Sequence, residues 1–330
     1  RDRAGSILVF LPGTGEIRQV EKLLESSRGE GGLDDLTSVT PLYGGLDLQA
    51  QDAAIRMPEV PQRKIVLSTS IAETSLTIDG ITVVVDAGMD RRAAFSPASG
   101  MTRLVTEPVS LASADQRRGR AGRVEPGVCY RLWSEVEQNQ RKPHAAAEIM
   151  GADLAPLLLE LAQWGIADLA QLKWLDLPPI AHVSQARSLL QMLGALDDKG
   201  RITPHGKAMA KLGTHPRLAH MLIRAQQWGV AKMACDIAAL LGERSPIRGR
   251  EKQEDFAARL ACLSGRGAGA DRGIVARVKQ QSAAFLRQLK GQAYGEKYAA
   301  SAGQLLALAY PDRIAQRRAG SDVAYRLSGG

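Results

Sequence analysis

The sequence predicts an α/β domain built on a parallel sheet, followed by a region that is almost entirely helical. Between residues 4 and 133, short β-branched or apolar runs alternate with helix-forming stretches. Such alternation argues for a parallel sheet with helices packed over its faces. From about Pro143 the texture changes, and apolar residues recur at helical spacing instead.

Each element follows in order. Residues 6–10, 38–42, 64–68 and 81–86 are the strand candidates, and residues 16–25 and 48–56 are the helices between several of them. Residues 26–35, rich in glycine and charge, form a surface loop. Residues 92–105 hold two strand-like runs around Ser96-Pro97-Ala98-Ser99-Gly100, a strong turn signal, so a β-hairpin is expected. In the helical part, Leu154, Leu157, Leu158 and Leu161 share one face, with Trp164 continuing it. Residues 184–193 give a second amphipathic helix, and residues 194–206 read as two short strands around an Asp-Lys-Gly turn. Helices followed by a small β-wing is the winged-helix pattern. Residues 213–310 read as helix throughout, interrupted by a Gly-rich stretch at 264–269.

Composition sets the bounds. At 330 residues the chain has room for two or three domains, each large enough to bury a core. No apolar run approaches the roughly 20 residues that span a bilayer, so no membrane partner is expected. The chain opens on Arg1 with no secretory signal in view. Cys129, Cys235 and Cys262 are odd in number and widely spaced, which fits neither a zinc pattern nor a disulfide framework. A reducing cytoplasm is the expected home. The net charge of +8 is uneven: residues 244–290 carry eleven Lys/Arg against four Asp/Glu. That block suits either a phosphate-backbone partner or a solvated helical surface.

The most informative segment is Gln116-Arg117-Arg118-Gly119-Arg120-Ala121-Gly122-Arg123. Arg120 and Arg123 stand three apart on a helix-compatible stretch, so on a helix they would project from one face. Two rigid guanidinium forks aimed at one spot suit a charge-dense anion, above all a phosphate in transfer. A solvated basic surface is the plainer alternative for such a cluster taken alone.

Its context is richer. Ile65-Val66-Leu67-Ser68-Thr69-Ser70-Ile71-Ala72-Glu73-Thr74-Ser75-Leu76-Thr77-Ile78-Asp79-Gly80, together with the arginine segment, closely resembles motifs V and VI of the DEAH-box helicases of superfamily 2. Ser6-Ile7-Leu8-Val9-Phe10-Leu11-Pro12-Gly13-Thr14-Gly15-Glu16-Ile17 is similar to motif IV, and Pro41-Leu42-Tyr43-Gly44-Gly45-Leu46 to motif IVa. Residues 309–318, with Tyr310-Pro311-Asp312-Arg313, look most like a bacterial branch of that family, HrpB.

The resemblance implies a second RecA-like domain over residues 1–135, a linker and winged-helix domain over 136–212, and a ratchet-like domain over 213–330. It implies that ATP with Mg2+ is the nucleotide, and that Arg120 and Arg123 are paired arginine fingers with Gln116 orienting the attacking water or γ-phosphate. Ser75 and Asp79 would meet the nucleotide, Asp79 at its ribose. Arg56 would stack on adenine, where many family members carry an aromatic. Gly13, Gly45, Thr69, Ser70 and Thr77 would touch the backbone of single-stranded RNA, possibly DNA, without reading bases. Ser70 departs from the usual Asn, and Arg118 stands where a smaller residue is usual.

Several patterns point nowhere. Gly13-Thr14-Gly15 is not a dinucleotide fingerprint, because Arg18 occupies the third glycine position. The five histidines show no metal spacing. No Walker A sequence and no Asp-Glu-Ala-His box occur in the chain. The P-loop and metal ligands are therefore expected on a first RecA-like domain, the partner half of the active site, and the chain alone is expected to be inactive. Three rival readings stay open: a non-catalytic nucleic-acid-binding module, a winged-helix transcription factor, and a DNA helicase on the same scaffold.

Overall fold

The computed structural model describes residues 5–29, 32–74, 76–123, 125–247, 255–266, 269–289, 299–318, 320 and 324–327. The chain forms two compact units, residues 1–152 and 153–330.

The first unit is organised by a five-stranded parallel sheet. Its strands are β1 (Ser6–Phe10), β2 (Thr37–Leu42), β3 (Arg63–Ser68), β4 (Ile81–Asp86) and β7 (Val128–Arg131), in the spatial order β2-β3-β1-β4-β7. Helix α1 (Thr14–Ser26) follows β1 and α2 (Leu48–Ile55) follows β2, as parallel crossovers require. The Asp47 carboxylate caps α2 by accepting from the Ala50 amide at 2.8 Å.

Strand side chains alternate between two apolar layers, and both are covered. Leu8, Phe10, Val66 and Val84 pack on one side with Leu42, Ala54, Ala72 and Ala121. Ile65 and Leu67 pack on the other with Ile17 and Tyr43, joined by Ile7 and Val9. This is why β1 and β3 read as unbroken apolar runs. Each fully buried Leu or Phe there contributes on the order of 1.5–3 kcal/mol.

After β4 the chain turns through Gly88 into a hairpin of β5 (Met89–Ser96) and β6 (Met101–Pro108). The hairpin is longer than its turn signal suggested, because pairing runs from Ser96↔Met101 back to Met89↔Pro108. Gly88 has φ +72°, and a Cβ there would lie 2.5 Å from the Trp133 ring. Only glycine fits that turn.

Helix α3 (Ile71–Thr74) is a single turn after β3, and α4 (Leu111–Arg118) starts from Ser110, whose hydroxyl accepts from the Ser113 amide. Helix α4 ends sooner than the arginine segment allowed. Gly119 caps it, and the next amides bond three residues back, Arg120 to Arg117 and Ala121 to Arg118, both at 3.1 Å. Gly119 and Gly122 are poor helix formers, so the coil tightens into turns. Arg120 and Arg123 therefore do not share a helix face, which corrects the sequence expectation. A short helix, α5 (Glu135–Gln140), begins with a capping box between Ser134 and Glu137.

The second unit is helical. Helix α6 (Ala155–Gln163) buries Leu158, Leu159 and Leu161, but Trp164 does not continue that face: it caps the helix end and is 73% exposed. Helix α7 (Ile180–Met192) starts four residues earlier than expected, immediately after Pro179. The expected two-stranded wing reduces to one bridge, Leu196↔Ile202. Thr203 accounts for that: its hydroxyl accepts from the Gly206 amide and opens α8 (Pro204–Ala210), leaving no residues for a longer strand. Helices α9 (Pro216–Gln227), α10 (Ala231–Leu241), α11 (Phe256–Leu263), α12 (Arg272–Gln288) and α13 (Ala302–Ala309) follow. A small hairpin, β8 (Ala315–Arg317) with β9 (Tyr325–Leu327), comes after them. At the start of α9, Arg217 is buried and grips Asp312 with both guanidinium nitrogens. Part of the basic block at 244–290 lies outside the described residues. Among the described residues no helix is long and apolar enough to cross a membrane.

Candidate nucleotide and nucleic-acid edges of the first unit

The sheet separates the candidate residues into groups at its two ends. Gly13 follows β1, Gly45 follows β2, and Thr69 and Ser70 follow β3 directly. All four therefore sit at the carboxyl ends of parallel strands, where open α/β sheets bind ligands. The Thr69 amide donates to Leu42 O at 3.3 Å, tying two of these loops together. Gly13 is extended, and the space its missing side chain leaves is filled by the Arg91 guanidinium, which pairs with Glu16 at 2.8 Å. Arg91 belongs to β5, so the hairpin root is fastened to the motif IV loop.

Arg56 and Asp79 lie toward the amino ends of the strands. Asp79 is exposed one residue before Gly80, whose carbonyl accepts from the Ser6 amide at the start of β1. Lys64, the second residue of β3, is buried there and donates to Ala54 O at 2.7 Å and to Arg56 O. Burial pushes the Lys64 amine down to about 8, against the favourable charge of nearby Asp79. Its ammonium satisfies carbonyls at the end of α2 that no helix amide reaches. Arg56 itself is exposed. Ser75 lies outside the described residues.

Motif VI leans on motif V. Arg120 is buried, donating from Nε to Glu73 O at 2.9 Å and from a terminal nitrogen to Leu76 O at 2.6 Å. Burial and the adjacent Arg123 charge lower the Arg120 pKa. Arg123 is exposed and donates to the Thr77 hydroxyl at 2.8 Å, so Thr77, expected beside the nucleic acid, engages an arginine. Gln116 is exposed on α4, and Arg118 is also exposed, forming a loose 3.6 Å pair with Asp115. Among the described residues no cluster of three or more His, Cys, Asp or Glu could hold a metal ion.

Sequence reasoning missed Arg117. Its side chain is 1% exposed, with Nε 3.0 Å from Glu73 and a terminal nitrogen 3.0 Å from Asp86. The same nitrogen donates to Met89 O at 3.3 Å, and the guanidinium lies over the Phe10 ring. The signal was available. A helix capped at Ser110 puts Ser113, Ala114 and Arg117 on one face by i, i+3 and i+4 spacing, and that face is the buried one.

Comparison with known proteins agrees with this architecture. Residues 1–125 match the helicase conserved C-terminal domain, and residues 186–214 match the winged-helix helicase associated domain. Over all 330 residues the chain is 43% identical to the ATP-dependent RNA helicase HrpB of Escherichia coli (strain K12). The chain resembles a segment of a DEAH-box RNA helicase.

The chain is also 39% identical, over 254 residues and 76% of its length, to the pre-mRNA-splicing factor ATP-dependent RNA helicase prp22 of Schizosaccharomyces pombe. It covers 22% of that helicase. A crystal structure of the Escherichia coli DEAH/RHA helicase HrpB superposes with a TM-score of 0.83 at 42% identity, covering the whole of this chain. The chain spans 38% of the length of the HrpB sequence it matches. The parallel sheet is thus that of a RecA-like helicase domain, followed by a winged-helix element.

Proposed function

We propose that this chain supplies the second half of an ATP-driven motor that steps 3′→5′ along single-stranded RNA in the cytoplasm. The observation that carries the reading is the motif VI turn, where Arg120 is anchored on the motif V backbone and Arg123 stands exposed beside it. Phosphoryl transfer needs positioning and positive charge on the transferring group more than covalent help. An anchored guanidinium next to an exposed one suits a triphosphate held by a facing domain. That domain, a first RecA-like one, would bring the P-loop and the residues that hold Mg2+, which together neutralise and orient the phosphates.

Gln116, exposed on α4, is suited to orient the attacking water or the γ-phosphate. Asp79 and Arg56, with Ser75, would take the nucleoside: a carboxylate for the ribose hydroxyls and a guanidinium plane for the base. The opposite edge of the sheet supports the second role. Gly13, Gly45, Thr69 and Ser70 put small residues and two hydroxyls at the carboxyl ends of neighbouring strands, suited to grip a sugar-phosphate backbone without reading sequence. Thr77, bonded to Arg123, would link the two. Residues 136–212 would act as linker and winged helix and residues 213–330 as a ratchet-like domain. The basic stretch at 244–290 would flank the strand, with the β5–β6 hairpin as its wedge.

The test is reconstitution. ATP hydrolysis is measured for this chain alone and with a separately expressed first RecA-like domain, each with and without single-stranded RNA. The reading requires turnover in the RNA-containing mixture and none in the chain alone. A mixture that binds RNA tightly but never hydrolyses ATP would establish a binding module instead. Equal stimulation by single-stranded DNA would widen the substrate to either strand.

A further inference from the structure

Arg117 has no part in the scheme above, yet among the described residues it is the largest side chain buried to within 2% of full enclosure. We propose that Arg117 is a positioning residue that couples occupancy of the nucleic-acid edge to the placement of Arg120. The inference rests on the helicase reading and adds a residue and a route to it.

One guanidinium joins three structures. Its Nε holds the Glu73 carboxylate on α3, and a terminal nitrogen holds Asp86 at the end of β4 and Met89 O at the root of the hairpin. Helix α3 is the link to the strand-binding loop. The Ala72 amide donates to Thr69 O at 3.4 Å and the Glu73 amide to Ser70 O at 2.9 Å. Any displacement of Thr69 or Ser70 by a bound backbone must move Glu73. Glu73 faces motif VI with two groups at once. Its carboxylate takes Arg117 and the Ser113 hydroxyl (2.5 Å), and its main-chain carbonyl takes Arg120. The two arginines are three residues apart and grip the same glutamate from opposite chemical ends. With Arg117 fixed to β4 and the hairpin root, α3 has a fulcrum. A shift at the strand edge is then delivered to the Arg120 guanidinium instead of dissipating in a four-residue helix.

Coupling of this kind is read as a change in RNA stimulation. The experiment compares RNA-free and RNA-stimulated ATP turnover in the full-length helicase carrying Arg117→Lys, which keeps the charge but loses the planar fork. The expected result is a fall of about tenfold in the stimulation ratio, within the usual range of allosteric couplings, with the RNA-free rate and the KM for ATP nearly unchanged. A merely structural role would lower both rates by one factor and leave the ratio intact; that outcome overturns the proposal. Ser113→Ala serves as the milder variant should Arg117→Lys not fold. It removes one hydrogen bond to Glu73 and is expected to lower the ratio by about threefold, the lower end of what a single hydrogen bond contributes. An unchanged ratio in Ser113→Ala also overturns the proposal. A wild type that no nucleic acid stimulates removes the helicase reading itself, and the coupling with it. A stimulated wild type with an unaltered variant ratio removes only the coupling.

Discussion

Replacing Asp312 by alanine should cost the second unit about 3 kcal/mol. Arg217 is 3% exposed, and its guanidinium is satisfied by both Asp312 oxygens, one at 2.7 Å, and by Ala309 O at 3.2 Å, with the Tyr310 ring alongside. Removing one partner of a buried pair leaves an uncompensated charge and costs about 3–5 kcal/mol. The lower figure applies because Asp312 is itself 21% exposed and Arg217 keeps Ala309 O. For a unit of residues 153–330, a loss of about 3 kcal/mol corresponds to a fall of about 6–12 °C in Tm.

Calorimetry on wild type and Asp312→Ala measures it, and pH provides an independent check. Burial alone would raise the Asp312 pKa, but the hydrogen bond and charge of Arg217 outweigh it and hold the carboxyl below its usual range. A carboxyl depressed in the folded state stabilises above its unfolded pKa of about 4, and that stabilisation disappears as pH falls through the folded value. The gap between wild type and variant should therefore be full at neutral pH and shrink in acid, below about pH 4. A Tm difference under about 2 °C, or a gap that does not narrow in acid, refutes the argument.

Two further outcomes follow from the same geometry. Gly88→Ala forces a left-handed φ on a residue with a Cβ and drives that carbon into Trp133, so it should destabilise the first unit by about 2–4 kcal/mol in urea unfolding. His220 donates to or accepts from His205 at 2.9 Å, and burial, then the His205 charge, pushes its pKa down to about 4. A histidine kept neutral when folded takes up more protons when unfolded, so its contribution is intact above about 6.5 and lost as pH falls toward 4. His220→Leu should flatten the stability profile across that window in thermal melts, and an unchanged slope would count against it.

Much of the first unit was legible because its physics is local. Strands β1, β3 and β4 are buried on both faces, so their apolar runs stand out, and Ser96 to Gly100 announce their turn. The features that escaped depend on partners distant in sequence. Helical spacing puts Arg117 on the buried face of α4, but nothing near it signals that its partners will be Glu73 and Asp86, forty-four and thirty-one residues away. Periodicity also cannot see a helix stop made by two glycines, which is why Arg120 and Arg123 read as one face. Trp164 was misplaced for a related reason: an apolar residue in register with a helix is not buried once the helix has ended at Gln163. The wing was overestimated because Thr203-Pro204 is a stronger helix start than Ile202 is a strand. The candidate residues themselves came from motif resemblance. What the structure adds is their grouping, with Gly13, Gly45, Thr69 and Ser70 at one edge of the sheet and Arg56 with Asp79 at the other.

The most direct test of the central claim is the single-turnover rate of ATP hydrolysis, at saturating RNA, by the full-length helicase carrying Arg123→Ala. Arg123 is the better probe because it is exposed, so its loss spares the core, whereas Arg120 is built into motif V. A guanidinium that neutralises the transferring phosphoryl group should cost about 10³ or more in rate when removed, with RNA binding retained. A variant that hydrolyses ATP within a few fold of wild type would mean that the motif VI turn is a scaffold and the catalytic charge comes from elsewhere.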